Sequence, residues 1–248
     1  MASRIAVISD IHGNFPALEA VAADLQLRQV ELVVNLGDHL SGPLWPAETA
    51  QYLMKQDWLH LQGNHDRQLV EQNPQEHNLS DRYAFQFLGE SELAWLHGMP
   101  AILQVHPEMV ACHGAPGNDQ CYLLERIANG LTHLASAEEI QYRVGNLRSG
   151  VLLCGHSHLP RVVQCSKELL IVNPGSVGLQ AYEDDTLEKH VSENGSPHAR
   201  YAILDLQNGE WKVDQIAVNY DHHSAAKQAS RNNRPDWAIA LETGYARI

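Results

Sequence analysis

Residues 4–38 read RIAVISDIHGNFPALEAVAADLQLRQVELVVNLGD, and their pattern decides the fold class. Residues 4–10 (RIAVISD) are a short apolar run closed by a polar turn, which suits a strand buried on both faces. Residues 15–29 follow, with Pro16 near their start and Leu18, Val21, Ala22 and Leu25 on one face. That spacing is an amphipathic helix with proline in its first turn. Residues 31–38 (ELVVNLGD) repeat the strand form, so the chain opens as a βαβ unit.

The same form recurs at residues 58–62 (WLHLQ), 109–113 (MVACH), 151–155 (VLLCG) and 169–172 (LLIV), with helices predicted over 47–55 and 83–96. Strands and helices thus alternate through residue 172, the mark of a layered α/β fold. Past that point residues 199–206 and 211–220 alternate apolar with polar across Asn208-Gly209, a hairpin signal that predicts a second sheet edge. Residues 180–198 are acidic, polar and aperiodic, and read as a surface loop elaboration. A closing helix is predicted over 236–244, followed by a tail to residue 248. With 248 residues and 44% hydrophobic content, one domain over residues 1–248 is expected.

Composition excludes several classes. Lys plus Arg number 17 against 30 for Asp plus Glu, a net charge of −13, so a long nucleic acid is repelled rather than recruited. No run approaches the roughly 20 apolar residues that cross a bilayer, and the first residues lack a secretory pattern, so no membrane partner and a cytoplasmic location are expected. Cys112, Cys121, Cys154 and Cys165 form no CxxC pair, which disfavours zinc ribbons and dithiol redox sites and fits a reducing compartment. Cys112 and Cys154 fall on apolar strand positions, where a buried free thiol is expected.

Histidine is the unusual count, at 15. Residues able to bind metal gather where predicted strands end: Asp10 and His12 (SDIHGN), Asp38 (LGDH), Asn64, His65 and Asp66 (QGNHD), His113 (CHG), and His156 with His158 (CGHSH). Each cluster has a glycine in or beside it, which permits tight turns and close backbone approach. Residues two apart on an extended segment share a side, so Asp10 and His12 can converge on one ion, as can His156 and His158. If the latter pair straddles a turn, it can serve two adjacent ions instead. Any one such histidine is ordinarily a surface or hydrogen-bonded residue; the joint pattern is not ordinary. Carboxylate, imidazole and one amide oxygen, without thiolate, suit Mn²⁺, Fe²⁺, Zn²⁺ or Ni²⁺. His39 reads equally as a support for the ligands or a turn residue. His77, His97, His106, His133, His190, His198, His222 and His223 lack clustered partners in the sequence.

In order, DxH, GD, GNHD, HG and GHxH over residues 10–158, with NPGSVG at 173–178, resemble the calcineurin-like metallophosphoesterase superfamily, most of all its small bacterial and archaeal phosphodiesterase-type branch. The resemblance implies an α/β fold, a four-layer α/β/β/α sandwich of two packed mixed sheets. It implies two divalent metal ions, one on Asp10, His12 and His158, the other on Asn64, His113 and His156, with Asp38 bridging. Hydroxide bridging the ions would attack phosphorus, His65 would assist the leaving oxygen and Asp66 could orient that ring. Asn64 and Arg67 are the candidate substrate contacts, with Arg82 next, though a helix-surface role suits both arginines.

One departure bears on substrate. Phosphoprotein phosphatases of this superfamily continue the GD motif into an Asp-Arg pair, where this chain has Ser41 and Gly42. The expected activity is therefore metal-dependent hydrolysis of a small phosphodiester or nucleotide-type substrate. A phosphomonoesterase, a dinucleoside polyphosphate hydrolase and a protein Ser/Thr phosphatase are the alternatives within enzymes, and a non-catalytic scaffold is the alternative outside them.

Overall fold

The computed structural model describes residues 3–185 and 188–246. Its first sheet holds β1 (Arg4–Ile8), β2 (Leu32–Asn35), β3 (Leu59–His60), β13 (Ala199–Gln207) and β14 (Glu210–Val218) in the order β14-β13-β1-β2-β3. The second holds β4 (Ile102–His106), β5 (Met109–Cys112), β8 (Val151–Leu153), β9 (Pro160–Gln164) and β10 (Leu170–Pro174) in the order β4-β5-β8-β10-β9. Each has a parallel centre, β1-β2-β3 and β5-β8-β10, with antiparallel neighbours outside it. Parallel strands need crossover connections, which contain helices between β1 and β2, β2 and β3, and β5 and β8, so strand and helix patterns alternate there in the sequence, while β9 carries the chain from β8 to β10.

Alternate residues of β1 serve two cores, as expected for a strand buried on both faces. Ile5 and Val7 pack with Val34, Leu36, Met109, Ala111, Val151 and Leu153 between the sheets. Ala6 and Ile8 pack outward on Ala17, Leu18, Val21 and Leu25 of helix α1 (Phe15–Leu27). The second sheet's outer face (Val110, Cys112, Leu152, Ile171) is covered by Ile140 and Val144 of α6 (Ala137–Val144). The layers are therefore α/β/β/α. Helices α2 (Pro46–Leu53), α3 (Asn64–Glu71), α4 (Leu79–Phe85) and α5 (Glu90–His97) complete the first half, and α7 (His222–Arg231) and α8 (Pro235–Thr243) follow the last strand. Among the described residues no helix is long and apolar enough to cross a membrane.

Asn208 and Gly209 both have positive φ, so the hairpin turn forms where the sequence places it, and β14 becomes an edge of β1's own sheet. Two expectations need correction. The helix expected over 83–96 is two helices, because Glu92 accepts the Gly89 N–H at 2.9 Å and starts α5 afresh. Residues 180–198 are not a loop throughout: β11 (Ala181–Asp184) and β12 (His190–Glu193) form a hairpin, and β12 joins β7 (Leu131–Leu134), which pairs with β6 (Glu125–Ala128) in a third, four-stranded sheet. The pattern is hidden because β12 turns His190 and Ser192 inward and leaves Val191 and Glu193 partly exposed, the reverse of the usual alternation. The expected tail falls partly on residues 247 and 248, which lie outside the described residues.

Candidate active site

The segments that follow β1, β2, β3, β5 and β8 meet where the carboxyl ends of both parallel centres converge, and they bring the seven expected ligands together. Asp10, His12 and His158 offer donor atoms within 4.8 Å of one another, as do Asp38, His113 and His156. Asn64 adds its Oδ1 at 3.0 Å from His113 Nε2. His12 and His113 lie 3.3–3.8 Å from the same Asp38 Oδ2, so that carboxylate faces both groups.

The backbone is bent to make this possible. Among the described residues nine non-glycine positions have positive φ; five are Asp10, His12, Asp38, His156 and His158, and the other four are Asn or Gln. An aspartate or histidine in that region costs on the order of 1 kcal/mol, and such strain gathers at functional sites. The chain holds it by cross-loop hydrogen bonds: Asp10 N–H to Gly37 O (3.0 Å), His12 N–H to Asp38 O (2.9 Å) and Gly178 N–H to Asp10 O (3.0 Å). The GD and GN turns touch so closely that a Cβ on Gly37 would stand 2.4 Å from Gly63 N. NPGSVG is part of this frame: Ser176 Oγ donates to Asp10 O (2.8 Å) and Asn173 Nδ2 to Gly155 O (2.8 Å).

The imidazoles are aimed by their outer nitrogens. His12 Nδ1 donates to Ser41 O, His113 Nδ1 to Leu36 O and His158 Nδ1 to Leu179 O, each at 2.7 Å. A neutral ring so held presents an Nε2 lone pair inward, the second-sphere arrangement of metal-ligating histidines. His12 Nε2 and His158 Nε2 stand 3.1 Å apart, and the buried Asp10 Oδ1 has no hydrogen-bond partner. Two inward ring nitrogens face to face beside a carboxylate oxygen that makes no hydrogen bond and has His158 Nε2 3.4 Å away call for a cation, so the residues present fit a divalent metal. Burial keeps the His12 and His156 rings neutral, each lowered to about 4. Burial raises the Asp10 carboxyl, yet His158 and His113 outweigh it and bring it down to about 2. At His113 burial opposes the charge, but Asp38 and Asp10 overcome it and push the ring up to about 10, so the buried carboxylates draw positive charge to this point and a metal ion would take the place of that proton.

His65 stands beside this group, its ring 5.5 Å from that of His12 and a quarter exposed, with its backbone N–H donating to Asp38 Oδ1 at 2.9 Å. The carboxylate on its Nδ1 is Asp81 of α4, at 2.9 Å, not Asp66. Asp66 instead ties the loops together, accepting from Asp38 N (2.8 Å), His39 N (3.0 Å), Gly63 N (2.9 Å) and His39 Nδ1 (2.7 Å). This settles His39 as a support. His60, on β3, closes the chain at 3.2 Å from His39 Nε2, and burial followed by His39 keeps its ring neutral, lowered to about 3. For His65 burial opposes the charge, but Asp81 and Asp38 overcome it and raise the ring to about 9.

Both arginines are occupied: Arg67 forks onto Asp119 (2.6 and 2.9 Å), and the exposed Arg82 donates to His77 O. His190, expected to lack partners, accepts or donates at 2.8 Å to Tyr122 OH, which meets Tyr182 OH at 2.7 Å. Tyr182 donates to His156 O and its ring lies 4.6 Å from that of His158. His222 and His223 likewise have a partner, Glu242, on the surface. Cys112 and Cys154 are inert buried thiols, burial pushing Cys112 up to about 12. The sequence offered one sign of Asp81, the Asn78-Leu-Ser-Asp81 helix start, which points to capping rather than chemistry.

Two facing mixed sheets with buried Asp, His and Asn at their strand ends are the architecture of a metallophosphoesterase. The family model for the calcineurin-like phosphoesterase superfamily domain matches residues 4–209, and the chain belongs to that family. A metallophosphoesterase from Sphaerobacter thermophilus superposes with a TM-score of 0.75 at 23% identity, over 98% of this chain and all of that one. A hypothetical protein from Pyrococcus horikoshii gives 0.73 at 19% identity, over 97% and 98%. An uncharacterized protein of Methanocaldococcus jannaschii is 24% identical over 95% of each chain.

Proposed function

We propose that this chain is a phosphoric ester hydrolase that uses two divalent metal ions to cleave a small phosphodiester or nucleotide-type substrate. The observation that carries the reading is the pair of inward Nε2 atoms of His12 and His158, 3.1 Å apart with both Nδ1 atoms bound to carbonyls, beside Asp10 Oδ1, which makes no hydrogen bond. Asp10, His12 and His158 hold one ion; Asn64, His113 and His156 the other; Asp38 faces both. When bound, the ions supply Lewis acidity to phosphoryl oxygens and a water acidified towards neutrality. His65 donates a proton to the leaving oxygen from Nε2, since Asp81 retains its Nδ1 proton. Asp81 positions that ring and favours its charged form. Asp66 and His39 keep the Asp38 and Asn64 turns in register, so the donors are ordered before substrate arrives.

The metal is one of Mn²⁺, Fe²⁺, Zn²⁺ or Ni²⁺ by the chemistry of the donors. The test is a reconstituted panel of aryl phosphodiesters, aryl monoesters, cyclic nucleotides and dinucleoside polyphosphates, run on wild type and His113→Ala. Metal-dependent turnover of a diester or nucleotide, abolished in the variant, is expected. Absence of turnover across the panel with two ions bound would overturn the reading.

A further inference from the structure

The C-terminal segment, beyond the residues matched by the family model, builds one wall of the site. Asn232 Nδ2 donates to Pro43 O and to Tyr83 OH, both at 2.8 Å, tying the Asp38 loop to α4. Trp237 of α8 lies edge-on to His12, ring centres 5.9 Å apart. Its ring takes the space beside Gly42: a Cβ there would meet Trp237 at 2.8 Å and His12 O at 2.4 Å, so residue 42 can carry no side chain. Arg234 stands 5.5 Å over the Trp237 ring and donates from Nη1 to Ser80 Oγ at 2.8 Å. Ser80 neighbours Asp81, which holds His65, and His65 packs on His12. The contacts link Arg234 to His12 through Trp237 and to His65 through Ser80 and Asp81, so the guanidinium is two contacts away from each imidazole.

Arg67 forks from Nε and Nη2 onto Asp119. Arg234 forks in the same way onto Asp236, but that side chain is 58% exposed against 23% for Asp119, so water screens the pair more strongly; with Nη1 on Ser80, two of the five guanidinium N–H groups stay unclaimed among the described residues. We propose that Arg234 is a specificity-determining residue that receives negative charge on the leaving group, so that the preferred substrates are phosphate esters whose leaving group is itself anionic, the class that includes nucleotide and sugar-phosphate leaving groups. This rests on the reading of the site as a phosphoesterase. A guanidinium presents paired donors to a phosphate or carboxylate, and Trp237 fixes its plane.

The experiment compares two diesters, methyl 4-nitrophenyl phosphate and its analogue with a carboxylate on the nitrophenyl ring, on metal-loaded wild type, Arg234→Gln, Arg234→Lys and Arg67→Gln. Wild type is expected to show a KM roughly tenfold lower for the charged leaving group. Arg234→Gln removes that advantage with kcat on the neutral diester within about threefold, Arg234→Lys restores part of it, and Arg67→Gln keeps it. Calorimetric titration with AMP reads the same cation without turnover, and Arg234→Gln is expected to weaken binding about tenfold. Turnover of both diesters with no KM difference, or a difference that survives Arg234→Gln, refutes this inference and leaves the phosphoesterase reading standing. If wild type hydrolyses neither diester, the full substrate panel decides on the phosphoesterase reading and the AMP titration decides on Arg234: equal affinity in wild type and variant overturns it.

Discussion

Asp81→Asn tests the assignment of the carboxylate that serves His65. In the folded chain Asp81 is fully buried, its Oδ1 2.9 Å from His65 Nδ1 and its Oδ2 accepting from Asn78 Nδ2 at 2.6 Å. An amide at this position keeps the shape but has one acceptor oxygen, so either His65 or Asn78 loses its partner. A hydrogen bond to a charged group is worth about 1.5–3 kcal/mol, which corresponds to a loss of roughly 10- to 100-fold in kcat if all of it is expressed in the transition state. His65→Asn removes the proton donor itself and should cost roughly 10²- to 10⁴-fold. The double variant should be no slower than His65→Asn, because the carboxylate acts only through that ring. Rates are compared for a nitrophenol and an alkyl leaving group at matched metal content. The loss should be larger for the alkyl ester, which needs its oxygen protonated. Equal losses for both leaving groups, or a double variant as slow as the product of the singles, would refute the pairing.

Elemental analysis after reconstitution should find about two divalent ions per chain, with Asp38→Asn lowering that number; a maximum of one ion with Asp38→Asn unaffected contradicts the two-ion site. Tyr182→Phe keeps the ring against His158 and removes the hydroxyl bonded to His156 O and Tyr122, so calorimetry should show metal affinity weakened by roughly tenfold. Gly42→Ala should destabilise the fold by about 1–3 kcal/mol through overpacking against Trp237 and the His12 carbonyl, read as a lower Tm; unchanged stability would show that α8 does not bear on the loop. Asp24 gives a pH-dependent case: partial burial raises its carboxyl, but the Tyr201 hydroxyl and Arg28 bring it below its ordinary 3.8. A lowered acid contributes stability above that value which is lost as pH falls through the folded pKa. The Tm gap between wild type and Tyr201→Phe should therefore narrow on acidification from neutral to about pH 3; a gap that widens would reverse the sign.

The candidate ligand set was legible because its requirements are local. Asp10 and His12 are two apart, Gly37 precedes Asp38, Gly63 precedes Asn64, and each sits where an apolar strand run stops. The supporting residues were illegible for the opposite reason. Asp81 meets His65 only because α4 folds back across α3, and in sequence it is the third residue of a capped helix. Asp66 follows His65, which suggests a partnership, but a helix turn carries its carboxylate to the Asp38 loop instead. The hairpin at 181–193 escaped because its inward residues are His190 and Ser192, bonded to Tyr122 and to Ser157 O, so burial there follows hydrogen bonding rather than hydrophobicity.

The same contrast explains how the strained candidate ligands persist. Five left-handed Asp and His residues together cost several kcal/mol, and at Asp10, His12 and Asp38 bonds from other loops hold the backbone in place. The strain there is opposed by bonds from elsewhere: Gly37 O holds Asp10 N, Asp38 O holds His12 N, Ser176 Oγ holds Asp10 O, and Asp66 holds Asp38 N. Each loop is thus kept in its conformation by a different strand end, and the donors are fixed in place by the convergence of two parallel sheet centres rather than by any one motif. Motifs at such spacing identify the family, while the partners that aim them come from helices and a hairpin whose sequences are free to look like caps, turns and polar loops. Arg234 and Trp237 belong to that second kind, which is why the wall they build is visible only once α8 is seen against Gly42 and His12.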